Sequence, residues 1–195
     1  LAMIDSETGA VLSPPTPLVA RFVGWNRSPD WAPDGRAVAY VSQRDSLLRP
    51  LAWSGGTIVV RSLASGEERE ITPRLAATSQ QVRWSPDGRS FLTWGRDEGG
   101  QSGLFAVSAD SGEATLLLGE DPPTQFQFPA WSPDGRKFYY FRTTPGAPIR
   151  LRVHDLDTGR DREVLSRSAN NMAPSPDGRY LVVRFSDPAD GASVL

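Results

Sequence analysis

Trp84-Ser85-Pro86-Asp87-Gly88-Arg89 is the stretch whose reading decides the fold. It recurs as Trp31-Ala32-Pro33-Asp34-Gly35-Arg36 and as Trp131-Ser132-Pro133-Asp134-Gly135-Arg136. A fourth copy, Pro174-Ser175-Pro176-Asp177-Gly178-Arg179, has Pro in place of Trp. The four glycines stand 53, 47 and 43 residues apart. Each copy is a turn by its chemistry. Proline presets φ at the first corner, aspartate bonds back to nearby backbone, and glycine takes the positive φ that closes a hairpin.

A second motif alternates with the first: Thr8-Gly9, Ser65-Gly66, Ser111-Gly112 and Thr158-Gly159. Two turns per repeat mean two hairpins, hence four strands. The runs after the first turn are almost continuously apolar: Ala37–Val41, Phe91–Trp94, Lys137–Phe141 and Tyr180–Val183. Such runs suit strands covered on both faces. The third strands (Ile58–Val60, Leu104–Val107, Leu151–Val153) let in charge. The fourth (Glu70–Thr72, Thr115–Leu118, Glu163–Leu165) are the weakest, as expected toward a solvated rim. No segment has a helical period. A β-sandwich needs no Trp-led motif at this period, and a β-helix has shorter coils. Radial repetition of four-stranded antiparallel blades fits: an all-β propeller. The expected units are a partial blade 1–27, blades 28–76, 77–124 and 125–168, and a partial blade 169–195. The partial blades either close a four-bladed ring or mark an excerpt of a propeller of six or more blades; the second is the expectation.

The hexad, followed by an apolar strand and a Thr-Gly or Ser-Gly hairpin, resembles the WD40-like PD40 repeat of TolB-type propellers. The same repeat occurs in tricorn and prolyl-oligopeptidase propellers. The resemblance covers almost the whole chain. Trp84–Gly88 and Trp131–Gly135 match fully, Ala32 replaces the usual Ser, and Pro174 departs at the Trp position. The resemblance implies that Trp31, Trp84 and Trp131 pack between blades as core. It implies a fold rather than a function, because many unrelated proteins carry such propellers.

The bulk composition excludes several classes. The chain has 195 residues, 38% hydrophobic, with a formal net charge of −2. There is no basic excess for a nucleic-acid surface and no acidic tail. The absence of cysteine excludes disulfides, thiol nucleophiles and thiolate metal sites. No apolar run is long enough to span a bilayer. Leu1–Asp5 does not read as a signal peptide.

Catalytic patterns are scarce. His154, the one histidine, precedes Asp155 on a third strand, so the two side chains point to opposite faces and cannot form a triad. His154 reads as a rim residue. Gly191-Ala192-Ser193-Val194-Leu195 begins like a nucleophile elbow but ends in Leu. Asp155–Asp161 faintly resembles a calcium loop, but Gly159 stands where an acid should, and the segment reads as a hairpin turn. Gly99–Gly103 lacks the lysine and helix of a phosphate loop. No catalytic residue, cofactor or metal is expected in this chain.

In a four-stranded meander the 1–2 and 3–4 turns share one face. The 2–3 loops and blade-to-blade links share the other, and here those loops vary in length. Variable loops on a rigid scaffold are where recognition usually sits. The longest, from Gln43 to Gly56, holds Arg44, Arg49 and Trp53 among three leucines. It either anchors a partner or folds onto its own blade. Arg96 and Asp97 in the next blade and Arg142 in the following one complete the candidate partner-binding set. The expected function is a non-catalytic scaffold for a protein or peptide partner, without nucleic acid or membrane insertion. By resemblance it is TolB-like and periplasmic or envelope-located. The alternative is the substrate-gating propeller of an oligopeptidase-type serine hydrolase whose catalytic domain lies outside this chain.

Overall fold

A computed structural model describes residues 5, 7–11, 25–43, 56–78, 81–166, 169–186 and 193–194. Its regular structure is all strand, in four antiparallel sheets. Sheet 1 contains β1 (Trp25–Trp31), β2 (Ala37–Gln43), β3 (Thr57–Ser62) and β4 (Glu68–Ile71). Sheet 2 has a first strand in two pieces, β5 (Ala77–Thr78) and β6 (Arg83–Trp84), then β7 (Ser90–Arg96), β8 (Ser102–Ser108) and β9 (Ala114–Gly119). Sheet 3 contains β10 (Gln125–Trp131), β11 (Lys137–Thr143), β12 (Arg150–Asp155) and β13 (Asp161–Leu165). Sheet 4 contains β14 (Ala169–Pro174), β15 (Leu181–Ser186) and β16 (Ser193–Val194). Strands pair in chain order within each sheet, so every sheet is a meander.

The Pro-Asp-Gly segments are the β1–β2 type turns, and their glycines sit at φ of 69 to 73°. In the second copy Gly88 N–H donates to Ser85 O at 2.9 Å. The Ser85 hydroxyl donates to Asp87 Oδ1 at 2.6 Å and accepts Ser90 N–H at 3.0 Å. Asp87 also accepts Arg89 N–H. The serine hydroxyl first, then that backbone N–H, holds the Asp87 carboxyl below its ordinary value. Asp134 is held down in the same way by Ser132 and Arg136 N–H. The turn thus wants a charged aspartate, which is why Asp rather than Asn suits it.

Consecutive sheets pack face to face. One cluster joins sheets 1 and 2 through Val41, Ile58, Val82 and Phe91. A second joins sheets 2 and 3 through Leu92, Leu104, Phe126 and Phe138, and a third joins sheets 3 and 4 through Phe141, Leu151 and Met172. The second strands are buried on both faces: Phe91, Leu92, Phe138, Tyr140 and Phe141 are all essentially inaccessible. Each such side chain contributes about 1.5–3 kcal/mol of burial. The turns of successive sheets also touch. A Cβ at Gly88 would lie 3.9 Å from Pro33, one at Gly135 3.8 Å from Pro86, and one at Gly178 3.7 Å from Pro133.

The tryptophans divide. Trp84 and Trp131 are half-buried and pack against the clusters between sheets. The Trp131 Nε1–H donates to Arg83 O in sheet 2 at 3.3 Å. Trp31 corrects the core expectation: it is 54% exposed. Its counterparts each lie against the sheet before their own, whereas Trp31 belongs to sheet 1 and no described sheet precedes it. His154 is not at the rim either. It is buried, with its ring stacked on Phe138 at 5.1 Å, because β12 places it directly across from that residue.

Candidate recognition surface

Alternation along the strands decides which loop-face residues meet. On β7, Phe91 faces sheet 1, whereas Leu92 and Trp94 face sheet 3. Arg96, two residues beyond Trp94, therefore shares the sheet-3 side. On β11, Phe138 and Tyr140 face sheet 2, so Arg142 does too. Register agrees: Arg142 pairs with Phe126, whose ring packs on Tyr140 at 4.6 Å. Arg96 and Arg142 thus stand on facing sides at the loop end of the joint between sheets 2 and 3.

Glu120 fastens this joint. It lies in the link from β9 to β10 and is buried. Its Oε1 accepts the Trp94 Nε1–H at 2.8 Å and the Phe126 backbone N–H. One carboxylate oxygen therefore ties sheet 2 to the first strand of sheet 3. Burial pushes the Glu120 carboxyl above its ordinary value, opposed by those two hydrogen bonds and by the nearby charge of Arg96. Along the rim, Thr124 and Thr144 hydroxyls meet at 3.2 Å. Arg150 pairs with Glu163 at 2.9 Å.

The other expected site residues are placed as follows. Arg96 keeps its guanidinium by an Nε–H donation to Ser102 Oγ at 3.2 Å. Asp97 is committed to its own loop: its carboxylate accepts Gln101 N–H at 2.8 Å and its carbonyl accepts Gly100 N–H at 3.1 Å. The Arg142 side chain makes no hydrogen bond or ion pair among the described residues, and the residue is half-buried. Arg44, Arg49 and Trp53 lie outside the described residues. Ser193-Val194 forms strand β16, and Asp155 closes its turn by accepting Thr158 N–H and Oγ1–H. Among the described residues no cluster of His, Asp and Glu is arranged to hold a metal ion.

Sequence reasoning missed Glu120, which no motif marks. It also missed a clamp repeated in sheets 1 and 3. The Tyr40 hydroxyl donates to Glu68, which pairs with Arg61 at 3.1 Å; the Tyr140 hydroxyl donates to Asp161 at 2.6 Å, which pairs with Arg152 at 3.1 Å. Burial chiefly, then the carboxylate, lifts the Tyr40 phenol to about 12 and raises Tyr140 as well. These phenols are structural donors, not acids in waiting.

Successive antiparallel four-strand meanders, packed face to face through their second strands, define a segment of a β-propeller. The profile of the TolB beta propeller domain family (PD40) matches residues 12–195, and the chain belongs to that family. Its sequence is 31% identical over 160 residues to the "Uncharacterized peptidase YuxL" of Bacillus subtilis, covering 79% of this chain and 21% of that protein. Its fold is similar to TolB from Acinetobacter baumannii, with TM-score 0.72 and 20% identity over 96% of this chain and 43% of that one. It is similar also to puromycin hydrolase, with TM-score 0.62 and 18% identity over 87% of this chain and 28% of that one. The chain therefore spans about a fifth of the curated relative it matches and less than half of either structure. Among the described residues no helix is long and apolar enough to cross a membrane.

Proposed function

We propose that this chain is a non-catalytic propeller module that binds polypeptide, and that it serves as the substrate-admitting propeller of a larger peptidase. The observation that carries this reading is the 31% identity to a protein named as a peptidase, of which the matched segment is only 21%. The loop end of the joint between sheets 2 and 3 supports it. Arg96 and Arg142 offer cationic donors from opposite sides, which suits the carbonyls and terminal carboxylate of a peptide. A second reading is a TolB-like partner-binding propeller in the cell envelope, outside any enzyme. It rests on the family profile, whose match spans residues 12–195.

One experiment separates them. The full-length protein carrying this segment is treated with a fluorophosphonate probe and incubated with a peptide mixture. The peptidase reading expects covalent labelling outside residues 1–195 and cleavage that loses peptide length selectivity in an Arg96→Ala, Arg142→Ala double variant. Peptide binding with neither labelling nor cleavage favours the partner-binding reading. Neither binding nor cleavage overturns both.

A further inference from the structure

The four Pro-Asp-Gly-Arg turns share one sequence but not one set of bonds. In the second, third and fourth copies a serine hydroxyl donates to the aspartate: Ser85 to Asp87, Ser132 to Asp134 and Ser175 to Asp177, each at 2.6 Å. The same hydroxyls accept the backbone N–H of Ser90, Lys137 and Tyr180. The first copy has Ala32 in the serine's place, so neither bond can form. Asp34 keeps only the bond common to all four, accepting Arg36 N–H at 2.9 Å, and it is exposed. Its glycine also stands apart. A Cβ at Gly88, Gly135 or Gly178 would lie against the proline of the turn before, whereas one at Gly35 would meet nothing within 4 Å among the described residues.

An Asp-Gly bond is open to isomerisation because glycine puts no side chain in the way of attack. The glycine nitrogen bonds to the side-chain carboxyl carbon of the protonated aspartate. The nitrogen's proton and the carboxyl hydroxyl leave together as water, and a succinimide ring remains. Water then reopens the ring at either carbonyl. Opening at the side-chain carbonyl returns aspartate. Opening at the backbone carbonyl leaves isoaspartate, in which the main chain runs through the side-chain carbon. One water leaves and one enters, and nothing is oxidised or reduced. A hydroxyl donating to the carboxylate opposes the first step twice. It favours the ionised form, which has no hydroxyl to lose, and it holds the side chain in the turn. The first effect is visible at Asp87, Asp134 and Asp177, each held below the ordinary carboxylate value by its serine hydroxyl and then by a backbone N–H.

We propose that Asp34-Gly35, in the turn from β1 to β2, is a site of spontaneous isoaspartate formation, and that the three serine-clamped turns are protected from it. Because Pro-Asp-Gly-Arg is the same in all four copies, the folded bonds decide the difference. Isoaspartate adds a backbone carbon to a turn whose span is fixed by the pairing of Trp31 with Val38, so this hairpin is where the modification acts. The inference is independent of the peptide-binding reading.

The test is to age the full-length protein carrying this segment at neutral pH and physiological temperature, then map its peptides with electron-transfer fragmentation, which tells isoaspartate from aspartate. Isoaspartate at Asp34 is expected at least about tenfold above that at Asp87, Asp134 and Asp177, the scale of one hydrogen bond to a charged group. Ala32→Ser should bring Asp34 down to the level of the other three, and Ser132→Ala should raise Asp134. Aged in urea, all four sites should isomerise alike, which also serves as the reference for a variant that folds poorly. Equal isoaspartate in the four folded turns overturns the proposal. So does the failure of both variants to shift their own turns, or the same ranking of sites in urea.

Discussion

The joint between sheets 1 and 2 and the joint between sheets 2 and 3 are built from the same repeat but fastened differently, although the first also has a loop-face bond, from Gly56 N–H to Thr78 Oγ1 at 3.2 Å. The first is shut at the rim by backbone. A Cβ at Gly112 would lie 2.3 Å from Thr72 O, Arg74 N–H donates to Gly112 O at 2.8 Å, and Arg69 donates to Ala109 O at 2.6 Å. The second is open at that rim, where Gly159 has nothing near its missing side chain. It is fastened on the loop face by Glu120, between Trp94 and Phe126. A repeat therefore dictates the blade but not the joint. The joint fastened by Glu120 is also the one whose loop end carries Arg96 and Arg142.

The sharpest way to break this comparison is to fill both glycines. Both have positive φ, 74° at Gly112 and 66° at Gly159. Gly159→Ala should cost about 1 kcal/mol, the left-handed penalty alone. Gly112→Ala should cost about 3 kcal/mol, because the added methyl also meets a carbonyl that cannot swing away. Urea unfolding of the two variants checks this, and equal costs would remove the rim contact from the account.

Next in size is Glu120→Ala, expected to cost about 2–3 kcal/mol by leaving the Trp94 and Phe126 donors buried without an acceptor. Glu120→Gln keeps an acceptor and should cost much less. The same measurement on Asp30→Ala probes the inner side of the first joint, where Asp30 accepts Trp84 N–H at 2.6 Å. Smaller again is Tyr140→Phe, at about 1 kcal/mol, since Arg152 still holds Asp161.

Acidity sharpens the comparison further. Burial raises both the Asp30 and the Glu120 carboxyls. Such a group holds a proton in the folded chain that the unfolded chain has already lost. Its stability contribution is full below the unfolded value and falls as pH rises toward the raised folded value. The stability of wild type relative to Glu120→Gln should accordingly decline from the ordinary Glu range upward and then level off. The turn aspartates work the other way. Asp87 and Asp134, held low, contribute above the ordinary range and lose that contribution as pH falls. Denaturant melts at a series of pH values check both signs. Smallest of all, Arg142→Ala should change stability by less than about 0.5 kcal/mol.

The fold was legible because its signal is local. Pro-Asp-Gly closes on itself within six residues, and Gly35, Gly88, Gly135 and Gly178 all take the expected positive φ. The serine adds a part that the motif's proline, aspartate and glycine do not announce: Ser85, 5% exposed, is the hub of its turn. The site was less legible because it depends on pairing. Asp97, a candidate partner contact in sequence, is taken by Gln101 N–H. Arg96 and Arg142 share one joint only through strand parity and sheet order. Glu120 acts across a joint that exists only once sheets 2 and 3 pack together.

The most direct test of polypeptide recognition at the sheet 2 and 3 joint is amide hydrogen exchange of the full-length protein with and without a saturating, uncleaved peptide. Protection centred on residues 96–103, 119–126 and 142–150 is the predicted result. Protection confined to the Pro-Asp-Gly turns, with those segments unchanged, would contradict it.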